Sequence, residues 1–379
     1  MGGMSRWDTV RPERAVLGVV RTLTALDRLL DVLPVLADDL RVETRFAVAA
    51  GSPFGADLGT ALRAAGVPEV AWSQAGRFDL ALSPSSNGAL HELGIPLVTL
   101  PHGAGHAKLR ATEHGHSPEV SGLSRTQLLH GGRVVPTAVG LAHQDQVAVL
   151  RRSCPEAVPR AEVVGDPCYD RLAASLPMRE HYRRELGTGD RTLVLLASTW
   201  GEHSLFGARG GLAAELVDLL PPERYQVALV LHPNVWTRHT RMQLELWTRR
   251  ARAGGLLLVP PLRAWQAAMV AADVVISDHG SLTCYAAALG KRLLLGAFGG
   301  HELVPGSSAE LIGRRAERLS TPSRAAVDAA APLPGHGELA ERTFGPRSAA
   351  RLRALLYRLL DLPEPDWPVR TEPVEPFSP

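Results

Sequence analysis

Strand-like and helix-like segments alternate along most of this chain, and this alternation constrains its fold more than any other feature. The apolar run Phe46 to Ala50 ends in a glycine turn, and a helical pattern follows from Asp57 to Ala65. In the second half, Arg191 to Ala197 and Tyr225 to Leu231 have strand patterns on either side of a helical segment, Leu212 to Leu220. Repeated β-α-β-α order predicts parallel sheets with helices on both faces. We therefore expect an α/β protein.

The alternating pattern occurs in two series, which predicts two domains. A chain of 379 residues can bury two cores, and Pro177 and two glycines interrupt the pattern between Leu176 and Gly189. We predict an N-terminal domain over residues 1–176 and a second domain over residues 190–345. Residues 346–379 add a helix and an extended proline-rich tail, for which packing back on the N-terminal domain is one arrangement. Both domains are expected to be Rossmann-like and doubly wound, and to face a cleft.

Composition and charge exclude several classes of protein. Hydrophobic residues make up 45% of the chain and charged residues 21%, and the formal net charge is +2. This balance favours neither nucleic acid nor a membrane as an obligatory partner. The three cysteines are too few and too scattered for a disulfide framework or a zinc site. No signal-peptide pattern and no apolar run of about 18 residues occurs, so we expect a cytoplasmic protein.

The segment from Val274 to Gly290 has the pattern of an anion site. An apolar strand, Val274 to Ile276, stops at a polar turn, and a helical pattern follows from Ser281 to Leu289. We expect Ser281 to cap the start of this helix and Gly290 its end. The free N–H groups and the positive dipole at a helix N-terminus attract phosphate. The turn therefore suits a diphosphate, although an ordinary strand-to-helix turn has the same pattern.

Histidine and serine residues follow strands in both halves of the chain. These segments are Ser83 to Asn87, His102 to His106, Ser198 to Trp200, His232 with Pro233, and Ser277 to Ser281. The carboxyl ends of parallel strands share one edge of a sheet, where doubly wound domains bind ligands. We therefore expect these side chains to line a ligand site.

Taken in order, these motifs resemble those of the GT-B glycosyltransferase fold, and within it most closely the CDP-glycerol glycerophosphotransferases of teichoic-acid synthesis. The matching segments are His102-Gly103, Val164 to Asp170, Thr199-Trp200, Leu231 to Pro233 and Ser277 to Ser281. The resemblance implies a transferase that moves a glycerol phosphate or glycosyl group from a nucleotide-diphosphate donor to an acceptor hydroxyl. The donor would be of CDP or UDP type, and the acceptor a small molecule or a polymer.

The resemblance also implies roles for two histidines. His102 corresponds to the base proposed for the family, and an imidazole with a pKa of about 6.5 can take a hydroxyl proton at neutral pH. The alternative for His102 is a loop histidine that is hydrogen-bonded to the backbone. His232 would contact a donor phosphate.

The other donor-site candidates follow two strands of the second half. They are Ser198, Thr199, Asp278, His279, Gly280, Ser281 and Leu282. Gly280 lets the backbone approach a phosphate closely. A carboxylate repels a diphosphate, so we expect Asp278 to cap the following turn or to orient a neighbour. His279 either reaches the ligand or occupies the position of the family's aromatic residue.

The sequence offers no evident metal or cofactor motif. No Asp-x-Asp occurs, which favours diphosphate binding without a divalent cation. His106, His114 and His116 lack an ordered ligand spacing, so we expect no zinc site there and no required cofactor. Neither Gly-x-Gly-x-x-Gly after a strand nor the P-loop motif is present, which disfavours dehydrogenase and P-loop functions.

Alternatives from other classes stay open. Two segments carry several arginines beside apolar residues: Trp236 to Arg252, and the last helix, Arg347 to Leu360. Helix faces with this composition can bind anionic lipid or an anionic polymer. A peripheral membrane contact is therefore one alternative, but a purely binding protein would not need His102. A GT-B-like epimerase would need paired carboxylates near the sugar, where this chain offers histidine and serine.

Overall fold

The structure, a computed structural model, describes residues 9–52, 54–55, 58–112 and 115–377. The chain forms two compact units. Unit 1 comprises the chain up to His106, Arg110–Cys168 and Phe344–Thr371, and unit 2 comprises Ala107–Leu109, Tyr169–Thr343 and the chain from Glu372. The division at Cys168 precedes the Pro and Gly-containing stretch in which we expected it. That stretch lies inside unit 2, where residues 179–185 form a helix and the N–H of Thr188 donates to the carbonyl of Arg183 in the turn that follows it.

The strands are numbered in chain order. They are β1 (Arg14–Val20), β2 (Val42–Val48), β3 (Leu80–Ser83), β4 (Leu97–Thr99), β5 (Leu109–Thr112), β6 (Gly115–Val120), β7 (Leu129–His130), β8 (Arg133–Val134), β9 (Ala138–Leu141), β10 (Ala161–Val163), β11 (Thr192–Ser198), β12 (Tyr225–Leu231), β13 (Leu257–Val259), β14 (Val274–Ser277), β15 (Arg292–Leu295) and β16 (Glu317–Arg318). The pairs β5-β6 and β7-β8 form two small sheets, and the other strands form two large ones.

The helices lie between these strands, and the last three follow β16. In chain order they are α1 (Leu23–Val32), α2 (Leu58–Ala64), α3 (Arg125–Leu128), α4 (Asp145–Ser153), α5 (Pro167–Ala174), α6 (Arg179–Glu185), α7 (Leu205–Ala208), α8 (Leu212–Leu219), α9 (Pro233–His239), α10 (Arg241–Ala253), α11 (Ala264–Ala271), α12 (Ser281–Ala288), α13 (Ser308–Arg315), α14 (Arg324–Ala329), α15 (His336–Phe344) and α16 (Ser348–Leu360). Among the described residues, no helix has both the length and the apolar character that crossing a bilayer requires.

The large sheet of unit 1 has the strand order β10-β9-β4-β3-β1-β2, and all of its neighbouring pairs are parallel. Residues 16–20 of β1 and all of β3 are buried, as expected for parallel strands that are covered on both faces. The strand order reverses between β1 and β3. The loop with His102 follows β4, which is paired with β3.

The large sheet of unit 2 has the order β13-β12-β11-β14-β15-β16, again all parallel. Counted from the first strand of the unit, this is the 3-2-1-4-5-6 order of Rossmann domains. The order reverses between β11 and β14, which end at Ser198 and Ser277. Such a switch point is where open α/β sheets bind ligands. The doubly wound α/β prediction is confirmed.

The last helix, α16, belongs to unit 1. The hydroxyl of Tyr357 donates to Oδ2 of Asp39 at 2.6 Å, and Nε of Arg14 donates to the carbonyl of Leu360 at 2.7 Å. The tail that follows is extended, and its final described residues belong to unit 2. There Val374 donates its N–H to Ser175 Oγ and accepts from the hydroxyl of Tyr182. The backbone of the tail is therefore held by hydrogen bonds to two side chains of unit 2.

Two local features differ from expectation. The N-cap of α12 is Gly280 rather than Ser281, because the carbonyl of Gly280 already accepts the N–H of Thr283. The arginine-rich segment from Trp236 is not one helix, since Thr240 has a φ of 65° and separates α9 from α10. The side chain of Thr240 then caps α10.

Candidate functional site

Asp278 organises the switch point of unit 2. Its side chain is completely buried, and Oδ2 accepts the N–H groups of Thr199 and Leu205, both at 2.8 Å. Oδ1 accepts the N–H of Gly280, also at 2.8 Å. A buried carboxylate is stable only when hydrogen bonds or cations compensate for lost hydration, and these three amides do so. Asp278 therefore ties the loop after β11 to the turn after β14.

The turn between β14 and α12 packs directly on Thr199. A Cβ atom added to Gly280 would lie 2.9 Å from Cβ of Thr199, so this position has no room for a side chain. Ser281 and Leu282 are half-buried in the first turn of α12. N–H groups at this end of a helix lack intrahelical acceptors and present positive charge to an anion. The hydroxyl of Thr199 and the first turn of α12 thus lie side by side.

Lys108 places a cation beside Thr199. We did not predict a role for this lysine from the sequence. Residues 107–109 belong to unit 2, where Nζ of Lys108 donates to Oγ1 of Thr199 at 3.2 Å. Its side chain is 31% exposed, so the ammonium is partly shielded but accessible. Burial lowers the pKa of Lys108 below its usual 10.5, while the carboxylates of Asp278 and Glu302 act in the opposite direction.

Composition contains one signal that could have identified this lysine. Lysine accounts for two of the 41 basic residues, Lys108 and Lys291, so arginine supplies the rest. The other lysine is buried, and its Nζ donates to the carbonyls of Val270 and Ala272. Almost all basic residues of this chain are thus arginine, and its two lysines lie at partly or fully buried positions.

His279 is buried beneath the turn. Its Nδ1 accepts the N–H of Gly299 at 3.0 Å, so the neutral ring carries its proton on Nε2. Nε2 lies 2.9 Å from Oε2 of Glu302, and Phe298 packs edge-on against the ring. Both ring nitrogens thus have protein partners, which makes His279 a support of the loop after β15.

His232 follows the neighbouring strand β12 and is the N-cap residue of α9. Its backbone N–H donates to the carbonyl of Ser198, and its Nδ1 accepts the N–H of Asn234 at 3.1 Å. The neutral ring therefore carries its proton on Nε2, where it acts as a hydrogen-bond donor. The side chain of Ser198 is buried and accepts the N–H of Phe206 at 2.9 Å, so its hydroxyl holds the loop together.

His102 lies in unit 1, exposed in the loop after β4. The buried guanidinium of Arg28 donates to the carbonyl of Gly103 at 2.9 Å and forms an ion pair with buried Asp166. Asp166 also accepts the N–H of Cys168. The His-Gly and Gly-Asp-Pro segments, which are separate motifs in the sequence, are therefore joined through Arg28. Sequence patterns contain no indication of this link.

Two other histidines of the same region differ in environment. His106 is held by a hydrogen bond between Nδ1 and the carbonyl of Ser121, and burial lowers its pKa to about 4. It is therefore neutral at pH 7 and a poor proton acceptor. His114 lies outside the described residues, and so does the side chain of His116.

Comparisons with known proteins identify the fold. No family model matches the chain, and no curated protein matches it in sequence. Among solved structures, the wall teichoic acid polymerase TagF with CDPG has a TM-score of 0.59 at 11% identity, over 94% of this chain and 90% of that one. UDP-GlcNAc 2-epimerase from Neisseria meningitidis, bound to UDP-GlcNAc, has a TM-score of 0.53 at 13% identity, over 92% of this chain and 100% of that one.

A third similar structure is that of S. aureus MnaA with UDP, which has a TM-score of 0.52 at 12% identity, over 96% of this chain and 100% of that one. Identities this low carry information about architecture alone. Together with the two doubly wound parallel sheets, they confirm the predicted architecture: the chain has a GT-B-like fold.

Proposed function

We propose that unit 2 binds the nucleoside diphosphate of an activated donor, with the phosphates at the N-terminus of α12. One observation carries this proposal: the ammonium of Lys108 lies 3.2 Å from the Thr199 hydroxyl, which itself packs against the Gly280 turn. A cation, a hydroxyl and free helix amides at a Rossmann switch point form a site for an anion. Ser281 and Leu282 would supply the amides, and the side-chain hydroxyl of Ser281, which does not cap the helix, would donate to a phosphate oxygen.

The same groups would also favour departure of the nucleotide. When the bond to the transferred group breaks, negative charge grows on the leaving phosphate, and fixed positive groups lower the energy of that state. Lys108 then takes the place of a divalent cation, so we propose that donor binding needs no metal. His232 would donate to a phosphate oxygen from Nε2. Asp278 and His279 would act indirectly, by holding the loops.

An open groove beside this site offers room for the nucleoside. It has a volume of about 460 Å³ and lies where β15 and β16 end, at Leu295 and Arg318. The guanidinium of Arg318 lies 4.4 Å from the centre of the Phe298 ring, which gives the groove a flat aromatic and cationic wall. Its volume is within the usual range for small-molecule sites.

We further propose that the reaction is transfer of a glycerol phosphate or glycosyl group to an acceptor hydroxyl, with His102 as the base. The order of the motifs supports this choice, and TagF, which is described with CDPG, has the highest TM-score of the three similar structures. Epimerisation of a nucleotide sugar is the second candidate, because an epimerase bound to UDP-GlcNAc has a comparable TM-score of 0.53. Incubation with labelled UDP-GlcNAc and product analysis separates the two.

Calorimetric titration with CDP, UDP, GDP and TDP in the presence of a chelator tests the donor site. We expect at least one nucleotide to bind, and at 100 times its Kd to stabilise the fold by about 2.7 kcal/mol.

Ser281→Ala should weaken binding without loss of stability, since this side chain does not cap α12. The matched control is Ser307→Ala, because Ser307 caps α13: it should cost about 1 kcal/mol of stability and leave affinity unchanged. If no nucleotide binds, or if Ser281→Ala binds like the unmodified protein, the phosphate position is wrong.

A further inference from the structure

Two histidines and a glutamate of unit 2 converge on one point beside the switch point. His203 lies in the loop after β11, and His301 and Glu302 lie in the loop after β15. Each offers one ligand atom, and the three atoms lie within 4.8 Å of one another. Nδ1 of His203 is 3.0 Å from Oε1 of Glu302, and the two imidazole rings are perpendicular with centres 4.4 Å apart.

The carboxylate of Glu302 is fixed in the orientation that this cluster needs. It is buried, and its Oε2 accepts from Nε2 of His279, whose other nitrogen is held by the Gly299 amide. Oε1 is thereby directed at His203. On the far side of that ring, Nε2 of His203 lies 3.8 Å from a carboxylate oxygen of Glu202. The contact with Glu202 is too long for a hydrogen bond, whereas the hydrogen bond from His279 is of the outer kind that fixes the orientation of a metal-binding side chain.

We propose that His203, His301 and Glu302 form a binding site for a divalent transition metal of the zinc class, with water as the fourth ligand. Two imidazoles and one carboxylate are a set that binds zinc and leaves one position open. Bonds of about 2.0–2.2 Å in a tetrahedron separate ligand atoms by about 3.4 Å, so the 3.0 Å contact needs to lengthen only slightly. The exposed His301 and the 42% exposed side chain of His203 give the ion access from solvent.

This site is separate from the proposed phosphate contacts. The metal would bind Oε1 of Glu302, whereas Oε2 faces His279 and lies 4.0 Å from Nζ of Lys108. The carboxylate therefore serves the two cations with different oxygens. The proposed donor binding uses Lys108 and not the metal, so each site can be tested without the other.

The test uses the full chain without an affinity tag, after a chelator has removed any bound metal. Calorimetry with Zn²⁺ should show one equivalent bound, and Co²⁺ should give the visible absorption bands of a tetrahedral ion. His203→Ala and His301→Ala should each weaken Zn²⁺ binding at least about tenfold. His336→Ala, which removes an exposed histidine elsewhere in unit 2, is the control and should bind like the unmodified protein.

Two results overturn the proposal: a Kd for Zn²⁺ weaker than about 1 mM, or an affinity unchanged by His301→Ala. His301 is exposed, so this variant should fold even if His203→Ala does not. Nucleotide titration of the stripped protein serves as the independent readout of the donor site. Nucleotide binding without zinc binding would refute the metal site alone, and zinc binding without nucleotide binding would refute the proposed function alone.

Discussion

Oδ2 of Asp278 accepts the N–H of Thr199 at 2.8 Å, so the residue after β14 fixes the residue after β11. The carboxylate lies at the reversal of strand order, where it links the turn after β14 to the loop after β11 through hydrogen bonds to backbone amides. Its three amide partners make the local geometry depend on one side chain.

We expect Asp278→Ala to lower the free energy of unfolding by about 3 kcal/mol or more. The substitution leaves three buried N–H groups without an acceptor, and each such group costs about 1–3 kcal/mol. Urea unfolding measures the loss. Asp218→Ala, which removes an exposed partner of Arg250, should change stability by no more than about 0.5 kcal/mol. Equal effects of the two substitutions would contradict the organising role of Asp278.

Lys108→Met should weaken nucleoside diphosphate binding about 10-fold to 100-fold, since a hydrogen bond from a charged group contributes about 1.5–3 kcal/mol. The affinity of the unmodified protein for the nucleotide should also depend on pH, in a direction that follows from the charge of the amine. An anion binds the protonated amine, so affinity should fall as pH rises through the pKa of Lys108, which burial places below 10.5. Lys108→Arg should bind with less pH dependence over the same range, because arginine stays protonated. A flat profile for the unmodified protein would show that Lys108 does not touch the phosphates.

His106 should make stability depend on pH in mild acid. Its folded pKa of about 4 lies below the ordinary value of 6.5, so the unfolded chain binds more protons between these limits. The contribution of His106 is therefore complete above pH 6.5 and is lost as pH falls toward 4. Urea unfolding of the unmodified protein and of His106→Gln from pH 4 to 7 should give a smaller slope for the variant. Parallel curves would mean that His106 binds protons equally in the folded and unfolded states, so that folding does not lower its pKa.

His102→Ala should reduce turnover by about 10²–10⁴ while nucleotide affinity stays unchanged. His232→Ala should weaken donor binding as well as turnover, because His232 follows β12 in unit 2. Activity and calorimetric titration of both variants check the difference, with His130→Ala as a control for an exposed histidine of unit 1. Normal turnover of His102→Ala would show that another group removes the acceptor proton.

The sequence predicted the sheets well because apolar runs and glycine turns are local signals. Parallel strands also bring their carboxyl ends to one edge, so the sequence alone leads us to expect Ser198, Thr199, Asp278 and Gly280 close together. The hydrogen bonds of Asp278 confirm that these four positions are adjacent.

Contacts that span long stretches of sequence were not predictable in this way. Lys108 reaches Thr199 from a loop of the first half of the chain, and no periodicity marks such a contact. Likewise, Arg28 and Asp166 are far apart in the sequence and form an ion pair only in the folded protein. The pairing of His203 with Glu302 is of the same kind, since each residue belongs to a loop without a recognisable motif.

The assignment of α16 to unit 1 has a consequence for biosynthesis. The helix supplies Tyr357, the hydrogen-bond partner of Asp39, and Ser348, which accepts the N–H of Asp166. A ribosome makes the chain from the N-terminus, so the first unit to be synthesised lacks this helix until all of α1 to α15 has been made. Unit 2 is complete apart from its short terminal segment before unit 1 receives its last element. The domain whose synthesis starts first is therefore the one that must wait for a late helix to close its core.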